Sequence, residues 1–257
     1  RNNDGKKSTY IRVDFEEDED ETRSIVDPSG STVVFKWKEG DRLAIYSGNG
    51  ASGMTNYDLI SVDANNVGTF QANGFLLTTG AEYYAFTPYD GTQTKKAAVK
   101  VDYDGLLQKA NGTFDHLGAK DFQYSGVTTA KSDNPADLTH FDLKHLGAVC
   151  RFRLTVPEAA NFKQFRITGT GLVTGGQIDL TTGNFTPEAG GSITMKFGDG
   201  TGNINVGANK EITLYVMLPQ QNLSTCTDLA VELYGIETAY YRSKMYIAYL
   251  NGKDIKG

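Results

Sequence analysis

Hydrophobic and polar residues alternate with a period of two along much of this chain. Ile11, Val13 and Phe15 alternate with Tyr10, Arg12 and Asp14. Cys150, Phe152, Leu154 and Val156 alternate with Arg151, Arg153 and Thr155, and Ile212, Leu214, Val216 and Leu218 with Glu211, Thr213, Tyr215 and Met217. Leu229, Val231 and Leu233 repeat the pattern. Successive strand side chains point to opposite faces, so each run predicts a strand with one face buried and one wet, as in antiparallel sandwiches. Shorter strands are predicted at 58–62, 69–70, 83–87 and 98–101, separated by turn signals such as Asn65-Asn66, Asn73-Gly74, Thr79-Gly80 and Asp90-Gly91. Segment 106–122 is less regular and predicts either a short helix or an extended surface loop. No long amphipathic helix is evident, which argues for an all-β fold over βαβ units.

The only tryptophan, Trp37, lies in a second informative stretch. Phe35 and Trp37 alternate with Lys36 and Lys38; after Glu39-Gly40-Asp41, Leu43 and Ile45 alternate with Ala44 and Tyr46. This predicts two half-buried strands joined by a tight turn, with Trp37 in the core. Six consecutive acids, Glu16 to Glu21, precede it and predict a solvated loop, because like charges at that density resist packing. Lys131-Ser132-Asp133-Asn134-Pro135 is polar and breaks regular structure, so it is the expected linker between two β-sandwich domains, 1–137 and 138–257. Near the C-terminus, Asn251-Gly252 is a strong hairpin signal with too few residues behind it for a returning strand.

Composition narrows the class. The chain has 257 residues, 29 glycines, 14 tyrosines, 13 phenylalanines and only 6 prolines, a mix suited to many short strands and tight turns. A net charge of −6 argues against nucleic acid as a partner, since phosphate binding needs clustered Lys and Arg. Lys95-Lys96 is the nearest basic cluster and reads as a solvated turn. No apolar run reaches the roughly 18 residues needed to span a bilayer. The chain starts at Arg1 and is expected to be a mature or trimmed segment. Cys150 lies on an apolar strand face and is expected to be a buried thiol, and a bridge to Cys226 stays open.

Candidate chemistry is sparse. His140 and His145 lie five positions apart and point to opposite faces of a strand, the wrong arrangement for a shared metal. Gly169-Thr170-Gly171 lacks the rest of a dinucleotide fingerprint and predicts a turn. Asp102-Tyr103-Asp104-Gly105 and the loop from Asp199 to Asn203 carry oxygen ligands at calcium-like spacing but no bidentate glutamate at the twelfth position, so turns are expected there. Neither a metal nor a cofactor is expected. Tyr83, Tyr84, Tyr89, Tyr240 and Tyr241 could form a sugar-stacking platform or be half-buried strand residues. With no nucleophile or acid–base constellation recognisable, an enzyme is not expected.

Three ordered segments carry a family resemblance: Trp37-x-x-Gly40-Asp41-x-Leu43-Ala44-Ile45-Tyr46; Tyr83-Tyr84-Ala85-Phe86-Thr87-Pro88-Tyr89; and Phe141-Asp142-Leu143-Lys144-His145 leading into the Cys150 strand. Together they resemble the fimbrillin family, the type V pilin and Mfa-like cell-adhesion proteins of gut and oral anaerobes. The resemblance implies two tandem transthyretin-like β-sandwich domains. It also implies a fimbrial subunit or tip adhesin at the cell outer membrane, held by a lipid anchor outside this segment. Its partners would be other pilin subunits, joined by donor-strand exchange, with an unspecified surface ligand. In that family a protease cutting after an arginine releases the first strand. The corresponding positions here are Arg23 for processing and Tyr10, Ile11, Val13 and Phe15 for the released strand. The alternative reading is a surface glycan-binding β-sandwich module that does not polymerise.

Overall fold

The computed structural model of the chain describes residues 7–15, 24–26, 32–50, 53–199, 202–237, 242–249 and 254–255; for 15, 24–26, 32–34, 236–237, 242–249 and 254–255 it describes the backbone alone. The protein is all-β: its only helices among the described residues are two 3-10 turns, Asp115–Lys120 and Leu223–Thr225. It divides into two compact units. The first comprises Arg1–Lys100, Phe122–Leu146 and Gln177–Thr186, and the second Val101–Asp121, Gly147–Gly176 and Pro187–Gly257. The units are therefore interleaved along the chain, where a single cut at residue 137 was expected. Local composition reports where the chain turns, whereas compactness depends on which strands pair at a distance.

The main sheet of the first unit has eight strands, and seven of them form a closed ring. In order these are Gln123–Tyr124, Thr139–His145, Tyr10–Phe15, Gly68–Asn73, Met54–Val62, Arg42–Ser47 and Glu82–Thr87. The ring closes because Gln123–Tyr124 pairs with His145 and Lys144 on one side and with Thr87 and Phe86 on the other. Closure removes exposed sheet edges, which otherwise template unwanted pairing. Among the described residues every pairing in this ring is antiparallel except that of Tyr10–Phe15 with Thr139–His145.

The ring encloses a core containing Ile11, Val13, Trp37, Leu43, Ile45, Tyr57, Phe70, Phe141 and Leu143. Trp37 is core as expected, 9% exposed and edge-on to Phe70 at 5.1 Å. The hairpin expected around it is absent. Residues 35–38 are not strand, and Arg42–Ser47 pairs with Met54–Val62 and Glu82–Thr87 instead. The Trp37 amide donates to Asn66 Oδ1 and Asn66 Nδ2 donates to the Phe35 carbonyl, so one side chain satisfies the backbone that a strand partner would have served. The turn itself forms, with Asp41 N donating to Lys38 O and Gly40 at φ +90°.

The ring of Trp37 needs a neighbour without a side chain. A Cβ on Gly68 would lie 2.6 Å from Phe70 Cε2, 3.0 Å from Leu59 Cδ1 and 3.1 Å from Trp37 Cδ1. Gly68→Ala is expected to lower stability by about 1–3 kcal/mol through overpacking. Chemical denaturation checks this, and an unchanged midpoint would show that the aromatic cluster yields freely.

In the second unit a six-stranded sheet runs Leu107–Gln108, Ser192–Phe197, Ala160–Thr170, Thr227–Glu237, Arg242–Tyr249, with Ile204–Val206 also on Ala160–Thr170. Gly147–Val156 pairs antiparallel with Lys210–Pro219, and Phe152 packs against Phe165 at 5.1 Å. Among the described residues no strand pairs with the other edge of Lys210–Pro219; side chains, together with the Gly112 amide on Thr213 O, serve it instead. Gln108 Oε1 accepts from Tyr215 N at 2.9 Å and its Nε2 donates to Thr213 O at 2.9 Å. Asn111 Oδ1 accepts from Thr213 N and its Nδ2 donates to Glu211 O, while His116 Nε2 bonds Tyr215 O at 2.7 Å. Burial holds the His116 pKa below its ordinary value, so the neutral ring donates from Nε2 to the carbonyl. Cys150 and Cys226 are free thiols, and burial pushes Cys150 up to about 12.

Candidate functional site at the first strand

Tyr10–Phe15 opens the chain's long strands yet occupies an interior position in the closed sheet. On one side it runs antiparallel to Gly68–Asn73, with Ile11 opposite Phe70 and Val13 opposite Gly68. On the other it runs parallel to Thr139–His145, with Ile11 opposite Thr139, Val13 opposite Phe141 and Phe15 opposite Leu143. Ile11 and Val13 are fully buried, whereas Arg12 on the other face reaches solvent and pairs with Asp63 at 3.0 Å. The alternation in the sequence thus assigned the two faces correctly. Both backbone edges of this strand are engaged, and its apolar face fills the middle of the core.

A carboxylate anchors the strand's start. Asp133 Oδ1 accepts from Ser8 Oγ at 2.7 Å, Thr9 N at 2.7 Å and Tyr10 N at 3.0 Å. Its Oδ2 accepts from Thr9 Oγ1 at 2.6 Å and Thr9 N at 3.0 Å. Burial pushes the Asp133 pKa up, but the donors on Thr9, Ser8 and Tyr10 outweigh it and hold the carboxyl below its ordinary value. Ser8, itself fully buried, also receives Tyr57 Oη on its carbonyl. The polar stretch expected to be a linker is therefore the clasp on the first strand. Lys131 N is tied to Thr139 Oγ1 and Asp137 N to Asn134 O, so the segment is hydrogen-bonded within the first unit. Sequence reading missed Asp133 because an aspartate beside Asn-Pro signals a turn, and nothing local shows that its partners lie 123 to 125 positions away.

The other residues singled out from the sequence fall elsewhere. Arg23, the expected processing position, lies outside the described residues, as do Tyr240, Tyr241 and the Asn251-Gly252 turn. Phe15 is described in its backbone pairing alone. Tyr84 is buried, Tyr83 is half-buried with its hydroxyl accepting from Thr78 N, and Tyr89 carries the Arg42 guanidinium over its ring at 5.0 Å. Of the three, Tyr84 is closed to a sugar by burial, while Tyr83 and Tyr89 are half-buried. Asp102 Oδ1 accepts from Asp104 N, and Asp104 Oδ1 from Gly105 N and Thr194 N; the expected turn is an extended connection here, with Tyr103 N donating to Thr174 O and Gly105 N to Thr194 O. The Asp199 loop is described only in part, since Gly200 and Thr201 lie outside the described residues. Lys96, read as part of a solvated turn, donates to three carbonyls, those of Ser47, Gly48 and Gly50.

The architecture defines an all-β protein whose first long strand, Tyr10–Phe15, is inserted within a closed sheet and clasped there by a distant carboxylate. Residues 22–256 match the model of the Fimbrillin-like family, and the chain belongs to that family. The matched span begins after the Tyr10–Phe15 strand. Among solved structures, a candidate cell adhesion protein from Bacteroides ovatus is 15% identical with a TM-score of 0.57, the alignment covering 98% of this chain and 88% of that one. A second, from Bacteroides fragilis, is 9% identical with a TM-score of 0.53, covering 98% and 87%. At these identities the likeness shows the shared fold. No match was found among curated proteins. No helix among the described residues is long and apolar enough to cross a membrane.

Proposed function

We propose that this protein is a non-enzymatic pilus subunit or tip adhesin at the cell surface, assembled by strand exchange after proteolysis. The observation that carries the reading is the interior position of Tyr10–Phe15. Its removal opens the ring between Gly68–Asn73 and Thr139–His145 and leaves two rows of unpaired backbone groups flanking Phe70, Phe141 and Leu143. Such a gap is repaired by an incoming extended strand, which contributes backbone hydrogen bonds and side chains at every second position. Cleavage at Arg23 would sever this strand from the rest of the chain, and a strand from another subunit would take its place. The partners are then other pilin subunits, with the outer membrane reached through a lipid anchor outside this segment.

Incubation with an arginine-specific protease is expected to cut near Arg23 and to promote oligomers, read by mass spectrometry and size exclusion. The cut strand keeps its clasp and its core contacts, so cleavage should precede oligomer growth by a resolvable lag. A protein that is cut quantitatively at Arg23 yet stays monomeric with its first strand bound would rule out this route of assembly.

A further inference from the structure

The outer face of the one parallel pairing in the ring carries three metal-ligating side chains that no step above uses. In the register of Tyr10–Phe15 with Thr139–His145, Asp14 stands directly opposite Asp142. His140, two positions before Asp142, shares its face by strand alternation. The structure brings one ligand atom from each of Asp14, His140 and Asp142 within 4.8 Å of the others, and His140 Nε2 lies 3.3 Å from Asp142 Oδ1. Two carboxylates placed opposite each other on one face of adjacent strands repel. Arg12, two positions before Asp14 on the same strand face, pairs with Asp63 at 3.0 Å, and Lys144 lies two positions after Asp142 on its own strand.

We propose that Asp14, His140 and Asp142 form a binding site for a divalent transition metal of the zinc class, bridging the first strand to Thr139–His145. An imidazole with two carboxylates suits zinc and its neighbours, whereas calcium and magnesium prefer sites built wholly of oxygen. Tetrahedral coordination places ligand atoms about 3.3 Å apart, for bonds of about 2.0–2.1 Å. Side-chain rotations on this half-buried to exposed face can close the three atoms to that spacing, with water as the fourth ligand. The spacing of His140 and His145 argued against a metal because it considered one strand. Here the third ligand comes from across the ladder, which no spacing within a strand reveals. Asp14 belongs to the first strand, so the ligand set is complete only while that strand is paired. Binding and pairing therefore reinforce each other.

The test uses the intact chain stripped with a chelator and titrated with zinc chloride, with magnesium chloride as control, and does not depend on strand exchange. Calorimetry is expected to show one saturable zinc site assigned to this cluster, and zinc but not magnesium should raise the melting temperature. Asp14→Asn and His140→Gln should each weaken zinc binding tenfold or more. Absence of saturable zinc binding, an equal response to magnesium, or full affinity retained in either variant overturns the proposal.

Discussion

Replacing Asp133 with alanine is expected to lower stability by about 2–4 kcal/mol and to loosen the first strand before the rest of the protein. Four donors on Ser8, Thr9 and Tyr10 converge on this carboxylate. Hydrogen bonds to a charged acceptor contribute about 1.5–3 kcal/mol each when broken singly, and partial exposure and shared donors bring the sum well below additivity. Hydrogen exchange should show Tyr10–Phe15 losing protection ahead of Arg42–Ser47. Unchanged protection of the first strand would remove Asp133 from its role as clasp. If strand exchange follows cleavage, the same substitution should shorten the lag before oligomers appear.

The clasp also has a pH dependence with a definite sign. Asp133 titrates below its ordinary value of 3.8 in the folded protein, so the folded state favours its ionised form. Its contribution is present above the unfolded value and is lost as the pH falls through the folded one. The stability difference between the parent and Asp133→Ala should therefore be constant near neutrality and shrink below about pH 4. A difference that persists undiminished at pH 2 would show that the lost contacts are independent of charge.

Gln108→Leu is the second large effect expected, again about 2–4 kcal/mol. Gln108 is fully buried and serves both Tyr215 N and Thr213 O on the open edge of Lys210–Pro219. Leucine keeps most of the volume but leaves a buried amide without its acceptor, a loss of about 1–3 kcal/mol, to which the weakened carbonyl adds. Thr213 O retains the Gly112 amide, so Tyr215 N bears the greater part. Gln108→Glu offers a contrast: it keeps the acceptor for Tyr215 N but places a carboxylate against Thr213 O. Equilibrium unfolding in urea separates the cases, and a Gln108→Leu midpoint equal to the parent would refute the edge-covering role.

Asp133 and Gln108 share the reason they were not legible beforehand. Both are polar residues in segments of irregular pattern, where local sequence signals a loop and nothing more. Their importance arises because buried backbone groups must find partners, and those partners belong to strands far away along the chain. The Trp37 stretch erred in the opposite direction. Phe35 and Trp37 have the spacing of a strand, yet Asn66 satisfies their backbone and the segment enters the core without pairing. Alternation records which side chains turn inward, and it does so in either conformation.

By itself the sequence determined that the chain is all-β, which face of Tyr10–Phe15 is apolar, that Trp37 is core, and the positions of the long strands ending at Val156 and Pro219. Those are local properties, written in a period of two and in burial preference. Only the tertiary structure decided that the first strand sits inside a closed ring, parallel to Thr139–His145, clasped by Asp133 and bearing Asp14 opposite Asp142. A strand's pattern specifies its faces but not its neighbours. Neighbours are chosen by long-range register, and in this protein that register turns a short alternating segment at the start of the chain into its candidate point of assembly.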